Sequence, residues 1–150
     1  RSLPPAMADP HLQLEQLRRI SVSLAVRVMC DLGELMPMAA VLRENGDIVA
    51  IGGETGDAAL DRSHRIERLR FRLRRDVDTR GYVATAVIYD ALVENPDGVD
   101  AEDAIAIELD HRDGVSLFAH VPYEDAQDGP IVGDAETQPG GDYIFRHASA

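Results

Sequence analysis

The segment from Tyr82 to Glu94 has the alternating pattern of a long β-strand. Alternate side chains of a strand point to opposite faces, and both faces of this segment are apolar. A strand of this kind is typical of the middle of a sheet with a layer packed on each side. We therefore expect a central strand here, covered on both faces. One face holds Val83, Val87 and Val93, and the other holds Ala84, Ala86, Ile88 and Leu92.

A first hairpin is predicted around Asn45-Gly46, which lies between two apolar stretches, residues 38–44 and 47–54. Asn-Gly is favoured in two-residue type I′ turns because both positions require positive φ. A two-residue turn fixes the register, which in turn fixes the side chains on each face. The predicted pairs are Glu44 with Asp47, Leu42 with Val49 and Ala40 with Ile51.

A second hairpin is predicted from residues 104–111 and 115–123. A two-residue Asp-Gly turn would place apolar residues opposite polar ones, whereas a three-residue loop over 112–114 gives one continuous apolar face. The longer loop also places Gly114 at the left-handed position of a type I turn with a G1 bulge. The predicted pairs are Leu109 with Leu117, Ile107 with Ala119 and Ile105 with Val121.

The first helix is predicted from His11 to Met36. Asp9 is a suitable N-cap, Pro10 suits the first helical position, and Pro37 would end the helix. Residues 20–28 also alternate like a strand, but no turn signal separates them from the helical residues on either side. We therefore prefer a helix throughout.

A second helix is predicted over residues 57–76, after a glycine-rich connection at 52–56. Its expected buried stripe is Ile66, Leu69, Leu73 and Val77. Because hairpins supply most strands, we predict an α+β fold with a mainly antiparallel sheet of five to six strands, in the order α-β-β-α-β-β-β. Residues 129–137 are the candidate for a sixth, edge strand. The expected divisions are a flexible leader at 1–10, a single domain at 11–145 and a loose tail at 146–150.

Arginine is concentrated between residues 62 and 80, which hold eight of the fifteen basic residues; the chain has no lysine, and its net charge is −12. This acidic excess argues against nucleic acid as a partner, because phosphate binding requires excess positive charge. On a helical wheel, four arginines form a stripe along one side of the buried apolar stripe. Arg70 and Arg74 flank the apolar stripe on its other side. Phe71 lies away from the core. The candidates for binding a partner or an anion are Arg65, Arg68, Arg72, Arg75, Phe71 and, outside this helix, Phe118.

The acidic segment 97–142 is the first candidate partner for this arginine stripe, within one subunit or across a dimer. A solvated helix whose arginines meet nearby acids is the alternative interpretation. Only three phenylalanines and no tryptophan occur, so the aromatic platforms of a nucleic-acid reader are scarce. These features favour protein contacts, with a homodimer as the expected assembly.

The face of the second hairpin opposite its apolar side is predicted to hold Glu108, Asp110, Ser116, Phe118 and His120. Glu108 and His120 would be diagonal neighbours, and a carboxylate beside a histidine can serve as a general base or bind metal. We interpret the face instead as a polar surface in solvent. Phe118 is the exception, since an aromatic there indicates a cover, either the first helix or another subunit.

Cys30 is the only cysteine, which excludes an intrachain disulfide and is consistent with the cytoplasm. Its apolar neighbours predict a buried, inert thiol. No apolar run approaches the roughly 18 residues of a membrane-spanning helix. The sequence therefore indicates a cytoplasmic domain with no membrane segment.

Three stretches resemble a family of small uncharacterised bacterial proteins: residues 32–39 (LGELMPMA), 104–114 (AIAIELDHRDG) and 138–140 (QPG). The resemblance implies a similar fold and transfers no catalytic residue. The order of elements is also similar to that of profilin-like or roadblock-like domains, although topology alone does not carry function.

The functional hypothesis is a domain that acts through protein–protein contacts as a homodimer, with no catalytic machinery, cofactor or metal. The alternative hypothesis is a domain or enzyme that binds a small molecule or a metal. Its candidate residues are Glu108, Asp110 and His120.

Overall fold

The computed structural model describes residues 9–52, 61–94, 98 and 100–148. Among them the helices are α1 (Pro10–Leu32), α2 (Arg62–Asp76) and α3 (Phe145–Ala148). The strands are β1 (Met38–Arg43), β2 (Ile48–Gly52), β3 (Tyr82–Glu94), β4 (Ala101–His111), β5 (Ser116–Glu124), β6 (Ile131–Val132) and β7 (Glu136–Pro139). The predicted α+β class and the order α-β-β-α-β-β-β are confirmed. The connection predicted at 52–56 and the start of the second helix lie largely outside the described residues, as do most of the leader and the end of the tail.

The strands form one antiparallel sheet in the order β2-β1-β3-β4-β5-β6, with β7 also paired to β5. The candidate edge strand at 129–137 corresponds to β6 and β7, two short strands that both pair with β5. α1 packs on one face of the sheet and α2 on the other. β3 lies between β1 and β4 and is buried from Tyr82 to Ile88, so the predicted central strand with two covered faces is confirmed.

Two hydrophobic clusters lie on the two sides of the sheet. On the first side, Leu14 and Leu17 of α1 pack with residues such as Ile107 of β4. On the second side, all four residues of the predicted α2 stripe are buried. Each fully buried Leu or Ile side chain contributes about 1.5–3 kcal/mol, so both clusters stabilise the sheet between them.

The start of α1 follows the prediction. The carboxylate of Asp9 accepts hydrogen bonds from the backbone N–H groups of His11 and Leu12, at 2.8 and 3.2 Å. Residues 20–28 are helical, because Ser21 and Ala25 lie at helical spacing on the buried side. Among the described residues, no helix is both long and apolar enough to cross a membrane.

The end of α1 was predicted wrongly, since the helix stops at Leu32 rather than Met36. Gly33 adopts the left-handed conformation at φ 79°, and its N–H donates to the carbonyl oxygen of Met29 at 2.9 Å. This cap ends the helix before Pro37 can do so. Cys30 is exposed, so the predicted burial of its thiol is also wrong.

The predicted register of the first hairpin is wrong by one residue. Arg43 and Gly46 are joined by a hydrogen bond from Gly46 N–H to Arg43 O, and Arg43 N–H donates to Asp47 O. The loop therefore has three residues, with Gly46 in the left-handed conformation at φ 93°. The shift exchanges the two faces of β2. The observed pairs are Leu42 with Ile48, Val41 with Val49 and Ala39 with Ile51.

The second hairpin has the predicted register, with Leu109 opposite Leu117 and Ile107 opposite Ala119. Its loop closes through a hydrogen bond from Gly114 N–H to His111 O, and Gly114 has φ 95°. The three-residue loop with a G1 bulge is confirmed.

We expect Gly114→Ala to lower the free energy of unfolding by about 1 kcal/mol, because alanine is strained in the left-handed region. Alanine also makes the unfolded chain less flexible, which offsets part of this loss. Nothing lies within 4 Å of a Cβ added there, so the backbone alone sets this cost. Gly52→Ala is the matched control, since a Cβ there also meets open space and φ is not positive. Urea unfolding measures both variants, and equal stabilities would contradict the backbone argument.

Candidate functional site

Glu108 lies in the middle of β4, on the face that α2 covers, and is 2% exposed. Asp110 is buried on the same face, at 3% exposed. The interpretation of this face as a polar surface in solvent is therefore wrong. The strand pattern placed these residues on one face correctly, but it did not show that α2 and the segment before α3 would cover it. Buried carboxylates are costly unless they are paired, so their partners define what this site can do.

The partner of Glu108 is Arg70 of α2. The Arg70 Nε atom donates to Oε1 of Glu108 at 2.8 Å, and a terminal guanidinium nitrogen donates to Oε2. The hydroxyl of Tyr89 on β3 also donates to Oε2, at 2.8 Å. This two-pronged arginine–carboxylate contact is the geometry that fixes both partners most firmly.

Arg70 has further neighbours at the edge of the site. Its guanidinium forms an ion pair with Glu67 on the same helix and lies over the Tyr143 ring, 5.4 Å from the centroid. The neighbouring Arg74 donates from Nε to the carbonyl oxygen of Tyr143 at 2.7 Å. Two arginines thus attach α2 to the segment that precedes α3.

The electrostatics of the Glu108 cluster favour a fixed ion pair. Hydrogen bonding to Glu108 raises the pKa of Arg70 above its ordinary value. Burial, together with the charge of Glu108, raises the pKa of Tyr89. Both donors therefore keep their protons at neutral pH, so both can donate to the Glu108 carboxylate.

Asp110 joins the C-terminal segment to the sheet. One carboxylate oxygen accepts from the Ser116 hydroxyl at 2.7 Å, and the other accepts from the backbone N–H of Ile144 at 2.5 Å. Ser116 in turn accepts from the backbone N–H of Asp142 at 3.0 Å. Burial raises the pKa of Asp110, which these hydrogen bonds oppose.

His120 does not complete a site with these carboxylates. Its Nε2 atom lies 2.8 Å from Oε2 of Glu136 on β7, while Glu108 is held by α2. Within the described ranges, no group of three or more histidine, cysteine or acidic residues is arranged to hold a metal ion. The three candidates Glu108, Asp110 and His120 thus have separate partners.

Phe118 is half-buried beside Glu108, its partner across the β4–β5 ladder, and Gln138, its partner across the β5–β7 ladder. The first helix packs on the opposite side of the sheet, so it does not supply the predicted cover. Phe71 remains 66% exposed on α2, as the helical wheel indicated.

The predicted arginine stripe does not converge on one point. Arg75 forms an ion pair with Asp76 at 3.2 Å, and Arg72 lies 3.5 Å from the carbonyl oxygen of Gly52. Arg65 is half-buried and Arg68 is exposed on the same helix. The arginine that meets a buried acid is Arg70, which the wheel placed on the other flank. Sequence reasoning missed Arg70 and Tyr89, although the prediction of two covered faces implied that a polar residue on β4 needs a partner from a covering helix.

Comparisons with protein-family models, curated proteins and solved structures find no match for this chain. The resemblance to a family of small bacterial proteins stays a prediction.

We expect Arg70→Met to lower the free energy of unfolding by about 3–5 kcal/mol, because it leaves the buried Glu108 charge without its cation. Arg75→Met is the matched control on the same helix, where an exposed ion pair contributes less than about 1 kcal/mol. Chemical denaturation at neutral pH measures both. Similar losses for the two variants would show that the buried pair is no more important than the exposed one.

Asp110 predicts a dependence of stability on pH. In the folded protein, burial raises the pKa of Asp110 above its ordinary value of 3.8. The folded state therefore takes up a proton more readily than the unfolded state. Protonation of Asp110 therefore stabilises the folded state. The stabilisation is complete below the ordinary pKa of 3.8 and is lost as the pH rises through the pKa of the folded protein. As pH rises from 3.8 towards neutrality, the wild type should lose stability relative to Asp110→Asn. Urea unfolding across this range tests it, with Asp134→Asn at an exposed position as the control for removing one charge. Parallel curves for wild type and Asp110→Asn would contradict it.

Proposed function

We propose that this domain acts through protein–protein contacts as a homodimer, with the outward side of α2 as its contact surface and no catalytic machinery of its own. The observation that supports this proposal is Phe71, a large aromatic side chain 66% exposed on a helix whose other large apolar residues are buried. Aromatic and arginine side chains are enriched at the centres of protein interfaces.

The charge distribution favours a second copy of the chain as the partner. Residues 62–80 carry a positive excess within a protein of net charge −12. Exposed acids lie at the far ends of β4 and β5, at Glu102, Asp103 and Glu124, where a second molecule's α2 could meet them. Complementary potentials of this kind steer association and fix orientation more than they add affinity.

The state of the buried carboxylates supports contact rather than catalysis. Glu108 accepts from Arg70 and Tyr89, and Asp110 accepts from Ser116 and a backbone N–H. Carboxylates with these internal partners stabilise the packing of α2 and the C-terminal segment. The alternative, a metal or small-molecule site at Glu108, Asp110 and His120, would have to break these contacts first.

The compartment of the proposed homodimer is the cytoplasm. Cys30 is the only cysteine, and it is exposed. An exposed thiol persists in a reducing environment, whereas outside the cell it would be open to oxidation or to pairing between molecules.

We expect light scattering after size-exclusion chromatography to give twice the 16.4 kDa mass of the chain for the wild type. Phe71→Glu should give the mass of one chain, because it places a charge at the centre of the proposed contact. Leu12→Glu is the matched control, since Leu12 is 58% exposed on α1, across the sheet from α2. Its mass should equal that of the wild type.

Two results would count against the proposal. A wild-type monomer at high concentration and low salt would remove the homodimer. A Phe71→Glu dimer with a normal circular-dichroism spectrum would remove α2 from the interface and direct the search to another surface.

A further inference from the structure

A groove of about 440 Å³ lies between the β1–β2 hairpin and the C-terminal half of α2. Its base is apolar, and its sides carry three arginines from three different parts of the chain. The apolar residues are Val41, Val49, Ile51 and Tyr82, and the polar ones are Arg43, Arg72, Asp76, Thr79 and Arg80.

The observed hairpin register determines which apolar residues of β2 form the base. Val41 pairs with Val49, so both side chains point to the α2 side of the sheet, and Ile51 lies two residues further along that face. Arg43 is two residues after Val41 and lines the same groove at the end of β1. Val49 remains 39% exposed, which leaves apolar surface open to a ligand.

The positive charge of the groove is only partly neutralised. Asp76, 14% exposed, is shared between Arg75 at 3.2 Å and Arg80 at 3.7 Å. Arg72 reaches only the Gly52 carbonyl oxygen, at a long 3.5 Å. Within the described part of the chain, the side chain of Arg43 forms no hydrogen bond or ion pair. Three guanidinium groups thus face a groove that contains one carboxylate.

We propose that this groove binds a small organic anion that has a carboxylate or phosphate head and an apolar body. Guanidinium groups bind such heads in a two-pronged manner, and Arg43 and Arg72 have donors to spare. The volume is within the roughly 300–1,000 Å³ of small-molecule sites, and an apolar base with a few polar groups is their usual lining. A long polyanion such as nucleic acid does not fit a protein with this acidic excess.

The proposed ligand engages the Arg43 and Arg72 side of the groove. Asp76 repels an anion at the other side, where it already neutralises Arg80. The head therefore lies between the end of β1 and the middle of α2, and the apolar body lies over Val49 and Ile51. The proposed site does not require the proposed homodimer, because residues of one chain form the whole groove.

Isothermal titration calorimetry with octanoate and octyl phosphate tests the site and distinguishes the two heads. Acetate and inorganic phosphate serve as heads without a body, and 1-octanol as a body without a charge. We expect one molecule of at least one amphiphilic anion per chain, with the isolated heads and octanol bound at least about tenfold more weakly.

Arg43→Gln should weaken binding by about tenfold or more, which is the usual effect of losing a hydrogen bond to a charged group. Arg27→Gln is the matched control, because Arg27 is an exposed arginine on α1, across the sheet. It should bind like the wild type. Val49→Asp, which adds a charge to the apolar base, should abolish binding, and circular dichroism should show that each variant is folded.

The proposal is overturned if neither amphiphilic anion binds, or if octanol binds as tightly as octanoate. It is also overturned if Arg27→Gln weakens binding as much as Arg43→Gln, since the effect would then come from overall charge. A monomeric protein that binds octanoate in the expected way would remove the homodimer and leave this site in place.

Discussion

The ion pair between Arg70 and Glu108 is the interaction on which the α2 side of the molecule depends. Glu108 lies in the middle of the sheet and is almost fully buried, so its charge needs a fixed cation. Arg70 provides that cation from α2 and at the same time covers the Tyr143 ring. The pair therefore sets where α2 lies along the sheet. Asp110 holds the segment before α3 against the same face through the backbone N–H of Ile144. Hydrophobic burial brings α2 to this face, and the ion pair selects its position.

The sequence predicts those parts of the fold that depend on local chemistry. The second hairpin was predictable because only one loop length produces a continuous apolar face, and Gly114 suits the loop. The first hairpin was not, because both faces of 38–52 contain apolar residues and either register gives acceptable pairs. The preference of Asn-Gly for a two-residue turn then decided the prediction, and it decided wrongly. In the structure a three-residue loop satisfies the same glycine with one left-handed position. A pattern fixes register only where one register is clearly worse than the other.

The candidate site shows a different limit of the sequence. The pattern placed Glu108 and Asp110 on one face, but which face is covered is a tertiary property. The apolar pattern of β3 indicated two covered faces. Because β4 lies beside β3, a polar residue in the middle of β4 is buried by the same covering layer. A buried acid predicts a basic partner from whichever helix covers it, and arginine is concentrated on α2. The choice of Arg70 required the structure, because it depends on the rotation and position of the helix against the sheet. The contact from Tyr89 required it too, because it depends on the register between β3 and β4.

Three arginines of α2 therefore have two different roles. Arg70 and Arg74 point to the sheet and the C-terminal segment, where they donate hydrogen bonds to Glu108 and to the Tyr143 carbonyl oxygen. Arg72 lies above the first hairpin, where the corrected register places Val49 and Ile51 beneath it. With the predicted register, Val49 and Ile51 would lie on the α1 side, and Ile48 and Ala50 would take their place on the α2 side. The register of the hairpin thus decides which apolar side chains lie beside the arginines of the groove. An apolar base beside guanidinium groups is the combination that an amphiphilic anion requires.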